Sequence, residues 1–208
     1  MTMQTKSMNL LRALGAAAAL GLAVAGAQAQ PVPGQPAPAF TLTGVDGKPV
    51  SLADFRGRYV VLEWTNPHCP FVVKHYGSGN MQALQKRFGA ENVAWLTINS
   101  TNAGHSEYKA PAALAAWMKE QGAAPTAVML DADGKVGRAF GARATPHMYV
   151  IDPAGTLVYA GAIDDKRSAN PADVKTANNY VVQAFGELRA GKPVSAASTT
   201  AYGCSIKY

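Results

Sequence analysis

The chain has 208 residues, 48% hydrophobic and 15% charged, a balance that fills a core and excludes wholesale disorder. Its 20 glycines and 13 prolines are too few for a collagen-like or low-complexity chain. The net charge of +6 is dispersed, with no run of five basic residues, so no nucleic-acid partner is expected. Two cysteines, Cys69 and Cys204, cannot build a four-thiolate zinc site or a multi-bridge scaffold.

The first segment reads as a secretory signal. Lys6 and Arg12 give a positive start, Ala13 to Gly26 is an apolar run, and Ala27-Gln28-Ala29 is a small-x-small cleavage site. Its fourteen apolar residues fall short of the roughly 20 that a membrane span needs. The division expected is a signal peptide over 1–29, one domain over 30–190, and a polar tail over 191–208 that carries Cys204. The mature chain is then periplasmic or secreted, with no membrane span. Export puts both thiols in an oxidising compartment, where a disulfide persists.

A Pro-rich lead-in, residues 31–38, precedes two short strand patterns, 40–43 and 48–52, joined by Val45-Asp46-Gly47. Asp-Gly between such runs predicts a hairpin. Tyr59 to Trp64 is a short apolar run with β-branched members, so a buried strand. Pro70 to Phe88 reads as helix, broken or kinked at Gly77-Ser78-Gly79. A strand over 93–98, a helix over 111–121, a strand over 127–130 and a short helix over 135–140 follow. Strands over 148–151 and 157–160 flank the turn Asp152-Pro153-Ala154-Gly155. An amphipathic helix over 171–190 closes the domain, and the tail after it carries no periodic pattern and reads as mobile. The alternation predicts an α/β domain with parallel central strands and helices on both faces. Trp64, Trp95 and Trp117 read as core.

Cys69 follows a buried strand and opens a helix, with Pro70 at the first helical position. The unpaired N–H groups and positive dipole end there favour a thiolate, the nucleophilic form of sulfur. His68, next to it, either stabilises that thiolate when protonated or is a solvated loop residue. Lys74 and His75, five and six residues on, miss the offsets that would place them over the sulfur, and read as a polar helix face. The four histidines share no metal-ligand spacing, so neither a metal nor a cofactor is expected.

The pattern G-x-x-x-P-x-F-x-L at Gly34 to Leu42, the stretch DGKPVSLADFRGRYVVLEW, Cys69-Pro70-Phe71-Val72 and Ala144-Thr145-Pro146-His147-Met148-Tyr149-Val150-Ile151-Asp152 resemble the thioredoxin-fold redoxin superfamily. This is the group of alkyl hydroperoxide reductase and thiol-specific antioxidant proteins. NPHCPFVVKHY and the ending GCSIKY are similar to its exported peroxiredoxin-like subgroup. The resemblance covers about residues 34 to 208. It implies a thioredoxin-like fold, a central mixed β-sheet flanked by helices, with an N-terminal β-hairpin extension and a C-terminal tail. It also implies a cis-Pro loop, Thr145-Pro146, beside the reactive cysteine, whose backbone can pair with an extended substrate.

Two positions depart from the family pattern. Thioredoxins carry C-x-x-C, and Val72 stands where the second cysteine would be. Peroxiredoxins place Thr three residues before the cysteine, and here that position is Asn66, whose amide can donate a hydrogen bond in its stead. The one remaining thiol, Cys204, is then a redox partner for Cys69, a static bridge that pins the tail, or unpaired. Glu63, six residues before Cys69, matches a buried acid that serves proton transfer in thioredoxins, unless its strand turns it to water. Arg143, three before Pro146, either favours the thiolate or forms a surface ion pair.

The function this implies is hydroperoxide reduction through Cys69, with Cys204 as resolving thiol and an unidentified thiol reductant as partner. The alternatives are thiol-disulfide exchange with exported proteins and a non-catalytic thioredoxin-fold binding module.

Overall fold

In a computed structural model of the protein, residues 1–2 and 30–208 are described. The expected signal segment, 1–29, lies outside the described residues apart from its first two. Among the described residues no helix is long and apolar enough to cross a membrane.

β1 (Thr41–Gly44) and β2 (Pro49–Ser51) form the expected hairpin, with Thr41 opposite Ser51. Ser51 then caps a 3-10 turn over Leu52–Phe55, and Asp54 accepts in return from the Ser51 backbone N–H. This reciprocal box satisfies donors that would otherwise be orphaned. β3 (Val60–Trp64) leads through a turn into α1 (Pro70–Gly77) and α2 (Asn80–Ala90). The break between them falls where the glycines predict it. Gly79 sits at φ +75°, a conformation that costs a residue with a Cβ about 1 kcal/mol or more.

β4 (Ala94–Asn99), α3 (Pro111–Glu120), β5 (Ala127–Leu130) and α4 (Lys135–Phe140) follow, then β6 (Ala144–Thr145), β7 (His147–Ile151) and β8 (Leu157–Gly161). α5 (Tyr180–Arg189) and β9 (Cys204–Ser205) end the chain. The main sheet has seven strands in the order β2-β1-β5-β4-β3-β7-β8. β3, β4 and β5 are parallel, and the remaining pairs are antiparallel. A parallel centre with antiparallel edges is the mixed sheet the fold class requires.

Alternation along β3 and β4 sorts their side chains between two cores. Val61 and Trp95 face the layer that holds Val72 of α1, Phe88 of α2, Leu114 of α3 and Phe185 of α5. Val60, Leu62, Trp64, Leu96 and Ile98 face Phe140 of α4 and Leu52. Glu63 shares the first face with Val61 and lies opposite Thr97 on β4. Trp64 and Trp95 are fully buried, as read from sequence.

Two expectations are corrected. The closing helix does not run from residue 171. Pro171–Thr176 is a separate 3-10 turn, Ala177 is extended, and Asn179 caps α5 by accepting from the Val182 N–H. Lys175, Thr176, Asn178 and Asn179 offer no apolar face to bury, so the segment turns instead. The tail, too, is not loose. Ala160 N–H donates to Ala197 O at 3.0 Å, Ile206 N–H to Arg143 O at 3.2 Å, and Asn102 N–H to Lys207 O at 2.7 Å. The Tyr208 hydroxyl donates to Ala142 O at 2.8 Å. Backbone addition, which needs no hydrophobic period, straps the tail across the mouth of the sheet.

Candidate active site

β3 delivers the chain to the turn at residues 65–68, and the turn delivers Cys69 to the N-terminus of α1. Asn66 shapes that turn. Its carbonyl accepts from the Cys69 N–H at 3.0 Å, and its side-chain oxygen accepts from the His68 N–H at 2.9 Å. Such Asx bonding favours turns over helix. Cys69 is the N-cap, at φ −80° and ψ 121°, with Pro70 next. Its sulfur is buried, with the residue 1% exposed.

Two backbone groups meet at the sulfur. The Cys69 thiol donates to Thr145 O at 3.0 Å. The Thr145–Pro146 peptide is cis, as the family pattern implies. The Cys204 backbone N–H donates to Cys69 Sγ at 3.4 Å. β9 lies antiparallel to β6, with Cys204 opposite Thr145 and Ser205 opposite Ala144. The strap therefore brings the chain's second thiol to the first. Both are free in this structure, which is the reduced form. Burial, then the hydrogen bond to Cys69, pushes the Cys204 thiol up to about 12. Cys204 thus holds its proton at neutral pH.

Close approach depends on Gly203, at φ +132°. A Cβ there would stand 2.0 Å from Thr145 O, so no side chain fits between strap and loop.

Glu63 is fully buried, which removes the solvent-facing alternative. Trp95 Nε1 donates to its Oε2 at 2.8 Å, Thr97 Oγ1 at 3.2 Å and Gln85 Nε2 at 3.4 Å, while the Tyr76 hydroxyl donates to Oε1 at 2.9 Å. Burial raises its carboxyl above the usual range, and those donors pull it back in part. Among the described residues no hydrogen bond joins Glu63 to Cys69. His68 and Arg143 are exposed. Arg143 donates to Gln30 Oε1 at 2.8 Å and borders a groove beside the strap with Phe71 and Tyr202. No carboxylate pairs with it among the described residues.

One participant has no signal in the sequence. Asn66 Nδ2 donates to Glu107 Oε2 at 2.6 Å, so the loop at 102–110 buttresses the Cys69 turn. Glu107 lies in a polar stretch with no motif, and only the crossing of the chain brings it there. A further correction concerns Lys74 and His75. They are buried, not on a polar helix face: Lys74 is 1% exposed and His75 fully covered. Their partner is Asp164, which the primary structure does not place nearby.

A buried cysteine at the N-terminus of a helix, beside a cis-Pro loop and a parallel-centred sheet, defines a thioredoxin-fold thiol protein. A family model described as the AhpC/TSA family matches residues 33–160. The chain belongs to that family. Among solved structures, it is similar to an uncharacterised conserved protein of Geobacillus kaustophilus. The two are 29% identical over 85% of this chain and 92% of that one, with a TM-score of 0.72. It is likewise similar to the hypothetical protein SMc02350 of Sinorhizobium meliloti 1021, 27% identical over 85% and 94%, with a TM-score of 0.69. The thioredoxin domain of a thiol-disulfide oxidoreductase from Bacteroides vulgatus shares the fold, at 21% identity over 70% and 96%, with a TM-score of 0.51. Comparison with curated proteins returns no match. Fold and family together place the chain among the thioredoxin-fold redoxins.

Proposed function

We propose that the protein reduces hydroperoxides through Cys69, with Cys204 as the resolving thiol, after export to an oxidising compartment. The observation that carries this reading is the contact of Cys204 N–H with Cys69 Sγ at 3.4 Å. In the first step the Cys69 thiolate attacks the terminal peroxide oxygen. The O–O bond breaks, Cys69 becomes a sulfenic acid, and the alkoxide leaves as the alcohol by taking back from solvent the proton that the thiol released on ionising. In the second step the Cys204 thiol attacks the sulfenic sulfur, water leaves, and the disulfide forms. An external thiol reductant then restores both cysteines. Asn66 has a second amide hydrogen with no protein acceptor among the described residues, and it is the donor suited to orient the oxidant.

The choice of oxidant rests on access. The backbone of Ala144 and Thr145 already pairs with β9. An extended peptide would have to displace a strand before adding to this edge, and a small peroxide would not. The second reading, thiol-disulfide exchange with exported proteins, draws on the same edge: with the strap removed, β6 and Pro146 would offer the pairing site that the family pattern implies.

Peroxide turnover with dithiothreitol as reductant tests the choice. The wild type consumes hydrogen peroxide, and Cys69→Ser abolishes consumption. A wild type inert to hydrogen peroxide and tert-butyl hydroperoxide, yet exchanging with a disulfide peptide, moves the assignment to the second reading.

A further inference from the structure

Behind the strap lies a buried polar cluster that the redox chemistry does not use. The Tyr202 hydroxyl donates to Asp164 Oδ1, and Lys166 N–H donates to the same oxygen at 3.0 Å. Lys74 Nζ stands 3.5 Å from Asp164 Oδ2 and donates to Lys166 O at 2.8 Å. His75 Nε2 stands 3.8 Å from Oδ2. Burial lowers His75 to about 4, so His75 faces Asp164 uncharged at neutral pH. Phe71 meets the Tyr202 ring edge-on, with centroids 5.7 Å apart.

A lysine and an aspartate taken fully out of water gain little stability over an apolar pair, because desolvation offsets their attraction. The cluster does have a positional consequence. Lys74 and His75 belong to α1, the helix that Cys69 caps. Tyr202 belongs to the strap and stands two residues from Cys204. Gly203, between them, fits flat against Thr145 O. The clamp therefore ties the strap to the helix that carries the nucleophile.

We propose that Tyr202 and Asp164 are positioning residues of the redox centre. Their buried contact holds the strap in the reduced protein and so sets the effective concentration of Cys204 at Cys69. The proposal rests on the two thiols forming one redox couple, and not on which oxidant serves it.

In the oxidised protein the disulfide holds the strap covalently. In the reduced protein the clamp and the β6–β9 pairing hold it next to Cys69, with the Lys207 and Tyr208 bonds fixing its far end. Weakening the clamp frees the reduced strap, and the entropy it gains favours the dithiol. The measurement is equilibrium with glutathione. The two protein thiols give up two protons and two electrons and join, while one glutathione disulfide breaks and takes them up as two glutathione thiols. Tyr202→Phe removes the hydroxyl and keeps the ring against Phe71. It is expected to lower the equilibrium constant for disulfide formation about tenfold, which raises the potential of this two-electron couple by about 30 mV. Gly203→Ala displaces the strap without touching the cluster and is expected to move the potential the same way.

Melting temperatures of both redox forms are taken alongside. A merely structural role for Tyr202 would lower both and leave the potential in place, and that result overturns the clamp. A raised potential in Gly203→Ala with none in Tyr202→Phe overturns it too, since the strap would then position Cys204 without this anchor. A wild type that forms no Cys69–Cys204 disulfide in the glutathione buffer overturns the couple itself and the clamp with it.

Discussion

At Cys69 two thiols with different surroundings divide the work. Cys204 holds its proton because burial and its neighbour disfavour its charge, while Cys69 sits on a helix N-terminus. Asn66 and Glu107 keep that end in place. Asn66→Ala removes the 2.6 Å bond to Glu107 and the 2.9 Å bond that shapes the turn. The expected result is a loss of about 1–3 kcal/mol in stability, read from urea melts. A fall of about tenfold in the rate of Cys69 oxidation should accompany it, equivalent to roughly 1.4 kcal/mol of barrier. Glu107→Gln keeps an acceptor for Asn66 and should retain most of that rate. Cys69 and the Thr145–Pro146 loop are legible in the sequence because each stands in a short local pattern. Glu107 is not, since its contact spans 41 positions and no local pattern encodes it.

Among the elements, α1 is the one whose sequence sets the redox partner. Val72, fully buried in its first turn, occupies the position three residues after Cys69. Val72→Cys puts a thiol at that offset. Oxidation of this variant with one equivalent of peroxide should then give mainly a link between Cys69 and the introduced thiol, with Cys204 left reduced in the peptide map. Mapping that still returns Cys69–Cys204 as the main product would mean the strap outcompetes a thiol in the same helix. The break after α1 has a separate role. Gly79→Ala should destabilise by about 1 kcal/mol, because φ +75° disfavours any Cβ, and should leave the disulfide mapping unchanged. Strand and helix positions are readable from periodicity and glycine. The strap is not, because it docks by backbone pairing at β9 and by single residues such as Tyr202 and Tyr208. The burial of Lys74 and His75 is hidden for the same reason: their partner Asp164 and their cover Tyr202 come from distant chain.

For the whole molecule, two buried histidines make stability depend on pH. Burial lowers both His75 and His147 to about 4, against an unfolded value near 6.5. Between those values the unfolded chain binds protons that the folded chain refuses, so stability rises with pH there. This contribution is fully present above about pH 6.5 and is lost as pH falls toward 4, by on the order of 3 kcal/mol per histidine. Urea melts at pH 7 and pH 5 should show the loss. His147→Gln should flatten the slope relative to wild type, and an unchanged slope would remove His147 from the account.

The central claim is that Cys204 resolves oxidised Cys69 within one chain, and intact mass tests it most directly. Reduced wild type is mixed with one equivalent of hydrogen peroxide and quenched by alkylation over time. The account predicts a product lighter by two hydrogens, with both thiols protected from the alkylating agent and linked on digestion. Cys204→Ser should instead gain one oxygen and then a second, as sulfenic acid passes to sulfinic acid untrapped. A wild type that accumulates the one-oxygen or two-oxygen product, with Cys204 still alkylated, would contradict the claim.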